Sequence, residues 1–202
     1  VSDDGTLTFA IGDATGHGLA AGTVVTAMKS LWNAFSGEPD LTGVMYRTST
    51  AFKRMRIPML YMAVALGRLR GNRLELIGAG MPAALIYREA TKRIESVPLK
   101  GLPLGSPGNP SYRSTTVQLS PGDTVVLMSD GLPELRNVDG EMLGYDTLGR
   151  VFSSAVGGSA ETVLKRLQAL VSGLCEDRAP NDDVTLLVLR ARQGDNVRVS
   201  ET

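Results

Sequence analysis

An α+β fold built on antiparallel sheets is predicted by three features of this sequence. The apolar pattern runs strand, two helices, a series of strands, two helices, strand, so the helices are segregated rather than alternating with strands. Arg70-Gly71-Asn72-Arg73 is a hairpin turn signal between two apolar strands. Hydrophobic residues make up 43% and charged residues 21% of the 202, which supports a buried core and excludes a disordered chain. Helices must cover sheet faces, so the expected arrangement is a four-layer α-β-β-α sandwich, with helices outside two packed sheets.

The elements follow from local patterns. Leu7 to Ile11 reads as a strand that ends at the glycine-rich turn Gly12-Asp13-Ala14-Thr15-Gly16-His17-Gly18. From Leu19 to Phe35 the apolar residues Val24, Met28, Leu31 and Phe35 recur at helical spacing. Ser36-Gly37-Glu38-Pro39 stops that helix, and Asp40 or Thr42 caps a second one reaching about Arg54. Met59–Arg68, Leu74–Ile77 and Ala84–Tyr87 read as strands, and Lys100–Pro110 as a long irregular loop. Thr115–Leu119 and Thr124–Met128 flank the turn Ser120-Pro121-Gly122-Asp123. Thr147–Ala155 and Ala160–Leu174 read as helices, the second capped by Ser159, and Val184–Leu189 as a buried strand. Residues 1–192 are expected to form one domain and 193–202 a polar tail.

Composition narrows the function. Lys+Arg and Asp+Glu both number 21, so no net field draws nucleic acid or an anionic membrane. One Cys and one His exclude a disulfide within the chain and a metal site built from several imidazoles. Metal chemistry here must run on carboxylates, which suits Mg²⁺, Mn²⁺ or Ca²⁺. No apolar run approaches the ~20 residues of a membrane span, and Val1 to Leu7 carries no signal-peptide pattern. A cytoplasmic setting is expected. The chain opens without Met, in polar residues directly before a strand, as a piece of a longer protein would.

Three acidic sites share one local pattern. Asp13 follows the strand ending at Ile11, Asp130 follows Val125-Val126-Leu127-Met128, and Asp182-Asp183 precede the last strand. Apolar strands fix the backbone, and carboxylates stand at their ends. Brought to one sheet edge they would repel unless a cation sat between them. Hard divalent ions with oxygen ligands solve that problem, and a pair of them activates water toward a phosphoryl group. Each Asp taken alone also reads as a local turn cap, and spacing does not show that the three meet.

The ordered motifs carry a family resemblance. Ile11-Gly12-Asp13-Ala14-Thr15-Gly16-His17-Gly18 resembles the second metal motif of PPM-type (protein phosphatase 2C) phosphatases in its bacterial sporulation stage II protein E form. Gly80-Met81-Pro82-Ala83-Ala84-Leu85, Gly101-Leu102-Pro103-Leu104-Gly105 and Leu119-Ser120-Pro121-Gly122-Asp123 follow in the family's order. Ser129-Asp130-Gly131-Leu132-Pro133-Glu134 and Asn181-Asp182-Asp183-Val184-Thr185 complete the set, over roughly residues 5 to 192.

The resemblance implies two antiparallel sheets flanked by helices and metal-dependent hydrolysis of phosphoserine or phosphothreonine with Mn²⁺ or Mg²⁺. By motif position Asp13 bridges two metals, the Ala14 backbone carbonyl is a ligand, and Asp130 and Asp182 hold the first metal. Asp183, His17 and Gly131 stand around those ligands. Two departures are visible. The family's GGDxxD segment, one strand earlier, has no counterpart, so N-terminal strand and one acidic ligand are expected to be missing, with one ion or none bound here. That exposed sheet edge favours a homodimer. The AGH segment reads Gly78-Ala79-Gly80-Met81, without its usual Asn and His. The implied partners are a phosphoprotein substrate, such as an anti-anti-sigma (STAS) regulator, and an N-terminal sensor or regulatory domain. A catalytically degenerate domain that only binds proteins, and a small-molecule phosphohydrolase, are the competing readings.

Other residues read more plainly. His17 suits a proton donor or phosphate contact, or a hydrogen bond that structures its turn. Gly12, Gly16 and Gly18 give the turn its backbone geometry. Trp32 and its neighbouring Met residues suit a core, Cys175 an inert thiol, and Lys53, Arg54 and Arg56 a solvated helix end.

Overall fold

The structure is a computed structural model. It describes residues 1–56, 61–137, 140–174 and 182–192, and the backbone of 199–201. Cys175, Asn181 and the start of the strand expected from Met59 lie outside the described residues. In chain order the elements are β1 (Leu7–Ala14), α1 (Gly18–Phe35), α2 (Leu41–Met55), β2 (Met62–Arg70), β3 (Arg73–Ala79), β4 (Ala84–Arg88) and β5 (Arg93–Val97). Then come β6 (Thr115–Gln118), β7 (Thr124–Met128), α3 (Gly144–Ala155), α4 (Ala160–Leu174), β8 (Leu186–Arg190) and β9 (Val199–Glu201). The chain divides into two compact units, one of 1–81 and 99–118, the other of 82–98 and 119–202.

The first unit is a four-stranded sheet in the order β1-β2-β3-β6 with α1 and α2. Its pairings are antiparallel, as the hairpin signal at Gly71-Asn72 required. Val64, Leu66 and Ile77 of the sheet pack with Val24 and Met28 of α1 and Val44, Met45 and Phe52 of α2. Each such side chain, once buried, contributes ~1.5–3 kcal/mol. The Asp40 carboxylate caps α2 by accepting the Thr42 amide at 3.0 Å, as expected. The Arg68 guanidinium on β2 donates to the carbonyls of Ser36, Glu38 and Pro39, which fastens the α1–α2 connection to the sheet. The segment after β5 is held as well. Leu104 and Met62 exchange backbone hydrogen bonds (2.8 and 3.1 Å), and the buried Tyr112 hydroxyl bonds the Leu102 carbonyl at 3.1 Å.

The second unit is a five-stranded antiparallel sheet, β5-β4-β7-β8-β9, with α3 and α4. Leu85, Val126, Met128 and Val188 face Leu148 and Phe152 of α3 and Val163, Leu164 and Leu167 of α4. Ser159 caps α4, its hydroxyl accepting the Thr162 amide at 3.1 Å. The Pro121-Gly122-Asp123 turn is locked by its Asp. The Asp123 carboxylate accepts the Glu89 amide (2.9 Å), the Ser120 amide (3.0 Å) and the Arg88 guanidinium (2.8 Å). Burial pushes its pKa up, but these donors outweigh burial and hold it below the usual carboxylate value.

Several elements differ from the sequence reading, among them β8, which begins at Leu186 and not at Val184. β1 runs on through Gly12, Asp13 and Ala14, which pair with Val64, Ala63 and Met62, so these three residues are strand and not turn. Gly12 is there for close packing: a Cβ would sit 2.6 Å from the Ala63 carbonyl oxygen. β5 was not expected. Its Arg93-Ile94-Glu95-Ser96-Val97 is an edge strand with one buried residue, so it carries little apolar signal. α3 begins at Gly144, one turn before Thr147, and β9 adds a short strand inside the segment read as a polar tail.

Candidate active site

The first unit presents Asp13 near the end of β1, half-buried, with Ala14 as the last residue of the strand. The chain then leaves the sheet. Thr15 donates its amide to the Tyr61 carbonyl at 2.9 Å, which carries the β1–β2 ladder one step beyond Ala14. Gly16 and Gly18 take positive φ (82° and 76°), the geometry expected of this turn, and α1 starts at Gly18. His17 is the N-cap residue of α1. It is exposed and its side chain makes no capping hydrogen bond.

The second unit brings Asp130 and Asp182-Asp183 to one end of the paired strands β7 and β8. A fully buried residue, Ser129, holds the two segments together. Its amide donates to the Thr185 carbonyl (3.0 Å), its hydroxyl donates to the Asp183 carbonyl (3.1 Å), and that hydroxyl accepts the Thr185 amide (3.0 Å). Gly131 completes the junction. A Cβ there would lie 2.3 Å from the Asp183 carbonyl oxygen, so only glycine admits this approach. Asp182 turns one carboxylate oxygen onto the Asp183 amide at 2.8 Å and is otherwise exposed, as is Asp130.

The donor set suits a hard divalent ion. Carboxylate oxygens of Asp130 and Asp182 stand exposed on segments that Ser129 and Gly131 tie together, with no imidazole or thiolate among them. Among the described residues, no group of three or more His, Cys, Asp or Glu side chains stands ready to hold a metal ion. Asp13 belongs to the first unit and the other two carboxylates to the second.

One residue that ties the site segments together, Ser129, escaped the sequence reading. Ser129 stood inside a quoted motif, but nothing in it announced a bond to residues more than fifty positions later. Tyr145, at the start of α3, is exposed; partial burial, then the charges of Glu134 and Asp130, hold its phenol above its ordinary pKa. Among the described residues no helix is long and apolar enough to cross a membrane.

The chain is similar to known proteins over nearly its whole length. The family model of Stage II sporulation protein E (SpoIIE) matches residues 3–192. The phosphoserine phosphatase RsbU of Bacillus subtilis is 25% identical over 200 residues, which are 95% of this chain and 58% of RsbU. The chain thus spans well under two thirds of that curated relative. Among solved structures, the RsbU and RsbW domains of Rv1364c from Mycobacterium tuberculosis are similar at a TM-score of 0.74 and 26% identity, covering 93% of this chain and 53% of that one. The PP2C phosphatase domain of SpoIIE from Bacillus subtilis, solved with a fragment of its regulatory domain, is similar at a TM-score of 0.78. It is 19% identical and covers 92% of this chain and 54% of that one. The α+β fold of antiparallel sheets flanked by helices is therefore that of PP2C domains.

Proposed function

Because this chain belongs to the SpoIIE family of PP2C-type (PPM) phosphatase domains, we propose that it is a metal-dependent phosphatase of phosphoserine or phosphothreonine in a signalling protein. The observation that carries the reading is the Ser129 junction. A fully buried hydroxyl is spent on holding Asp130 and Asp182-Asp183 in a fixed relation at one end of the β7–β8 pair.

In this reading Asp130 and Asp182 would hold Mn²⁺ or Mg²⁺, with Asp13 and the Ala14 carbonyl contributing from the motif in which they stand. When bound, such an ion supplies a water acidic enough to attack phosphorus. The chain's own residues do the positioning. Ser129 and Gly131 keep Asp130 beside the Asp182 segment. Asp183 is committed through its backbone, donating to Asp182 and accepting from Ser129. His17 stays uncommitted to its helix cap and is available to the phosphate or to the leaving serine oxygen. The likeness to the phosphoserine phosphatase RsbU supports a phosphoserine substrate, and the likeness to the SpoIIE phosphatase domain solved with a fragment of its regulatory domain supports a regulatory domain as a partner; an anti-anti-sigma regulator as that substrate rests on the motif resemblance alone.

The direct test is release of inorganic phosphate from a phosphoserine peptide and from p-nitrophenyl phosphate, with Mn²⁺, with Mg²⁺ and with chelator. Metal-dependent turnover is expected. No turnover of either compound under any metal condition would refute the reading and favour a binding module.

A further inference from the structure

Where the end of α1 meets the outer face of α2 there is an open groove of about 710 Å³, lined among the described residues by Phe35, Tyr46, Arg47, Ala51, Arg54 and Met55. Its walls are fixed by contacts within the first unit. The Arg47 guanidinium lies 5.3 Å from the centre of the Phe35 ring and pairs with the Glu38 carboxylate. The Tyr46 ring stands edge-on to that of Tyr112 at 5.2 Å, and its hydroxyl accepts the Tyr112 amide at 3.2 Å. α2 meets its own core with Val44, Met45, Thr48 and Phe52 on the opposite side. Tyr46 is left 40% exposed, and Phe35 and Met55 are only half-buried.

The charge around this groove has one sign. No Asp or Glu stands between Asp40 and Glu75, whereas Arg47, Lys53, Arg54 and Arg56 do, in a chain whose formal net charge is zero. Glu38 is spent on Arg47, Asp40 on the α2 N-terminus and Lys53 on the Gly108 carbonyl. Arg54 lines the groove and Arg56 follows at the helix end; both are exposed, with no carboxylate partner among the described residues. The helix dipole accounts for basic residues in a last turn. It does not account for an aromatic ring and a thioether left open beside them.

We propose that this groove docks an acidic amphipathic helix of a partner protein, its apolar side chains on Phe35, Tyr46 and Met55 and its carboxylates on Arg54 and Arg56. The lining has the composition of a protein interface, where Tyr, Phe, Met and Arg are enriched. From Tyr46 to Met55 the wall runs ~13 Å along the helix axis, at 1.5 Å per residue, which is the reach of apolar anchors at i, i+4 and i+7 of a docked helix. Charge complementarity selects the acidic occupant. A basic segment would be repelled by Arg54 and Arg56, and a second copy of this face would set the same cations against each other.

A fluorescein-labelled helical peptide of about 14 residues, with Leu on one face and Glu on the other, tests this on the full chain by anisotropy. Two controls keep the length: one carries Lys for each Glu, the other Ala for each Leu. The Leu/Glu peptide is expected to bind about tenfold more tightly than either control, to weaken as salt rises, and to shift amide resonances of residues 46–55. Arg54→Glu reverses a charge of the groove and Thr50→Trp fills it. Each is expected to lower the affinity about fivefold or more without changing Tm, since both side chains are exposed. No binding of the Leu/Glu peptide, equal binding of the Lys control, resonance shifts confined to other segments, or an affinity untouched by both variants would overturn the proposal. Binding to phosphatidylglycerol vesicles with none to the peptide would also overturn it, and would assign the face to a membrane surface. Binding is read without metal or turnover, so its failure leaves the phosphatase reading standing, and the reverse holds as well.

Discussion

Replacing Ser129 by alanine tests the junction that carries the functional reading. The residue is fully buried, and its hydroxyl serves the Asp183 carbonyl at 3.1 Å and the Thr185 amide at 3.0 Å. Alanine removes both bonds and leaves the Ser129 amide bond to the Thr185 carbonyl in place, so the β7–β8 ladder survives. An intramolecular hydrogen bond contributes ~1 kcal/mol net, and a buried group stripped of its partner costs ~1–3 kcal/mol. Thr185 is half-buried and Asp183 exposed, so the unpaired Thr185 amide carries the larger part of the cost. The sum is a loss of about 2 kcal/mol, or roughly 4–8 °C in Tm for a chain of this size. Urea unfolding measures the total, and hydrogen exchange at the Thr185 amide reads the local part. Turnover of p-nitrophenyl phosphate is expected to fall about tenfold or more, because the Asp182 segment is no longer fixed against Asp130. A stability loss under about 0.5 kcal/mol, with unchanged exchange at Thr185, would show that the hydroxyl holds nothing, and the reasoning would fail.

Other outcomes follow from the same structure. Gly131→Ala places a methyl 2.3 Å from the Asp183 carbonyl oxygen, and is expected to cost about 1–3 kcal/mol by urea unfolding and to displace the 182–185 segment. Asp130→Asn is expected to abolish Mn²⁺-dependent turnover with an unchanged far-ultraviolet dichroism spectrum, since the exposed carboxylate supports no packing; wild-type turnover by this variant would remove Asp130 from the site. Arg88→Ala leaves the Asp123 carboxylate buried with two amide donors only, and is expected to destabilise by about 3 kcal/mol, measured by urea midpoint. Because the folded-state pKa of Asp123 lies below its unfolded value, its stabilisation is present above the ordinary carboxylate pKa of ~3.9 and is lost as pH falls through the lower folded value. Subtracting Asp123→Asn from wild type across pH 3 to 6 should show that slope, and a difference independent of pH would contradict it.

Much of the fold was legible because its signals are local. The helical spacing from Val24 to Phe35, the Asp40 and Ser159 caps and the Gly71-Asn72 hairpin are written within a few residues of one another, and the structure holds each of them. The misplacements have physical reasons. Gly12-Asp13 has the composition of a turn, yet Gly12 is needed to let β2 approach, and that need belongs to a strand far away in the sequence. β5 lies at a sheet edge, and alternating Arg, Glu and Ser give it too little apolar character to read. In the site, the Asp residues stood out as charges at strand ends. Ser129 did not, because a small hydroxyl at the end of a strand carries no pattern until its partner, the 183–185 backbone, is seen beside it.

The two units are threaded through one another along the chain. The first closes only when β6 returns to pair with β3, after β4 and β5 of the second unit have already been made. The second closes only when β7 arrives beside β4, and β8 beside β7. On a ribosome, the β4–β5 hairpin therefore emerges before the strand that will shelter it, and waits while the other sheet is finished. No single break in the chain can release one unit whole. A nick between β5 and β6 would put β3 and the strand that completes its sheet on separate pieces, and likewise β4 and its partner β7. Neither unit is consequently a contiguous stretch of chain that could be shuffled or expressed as a single segment.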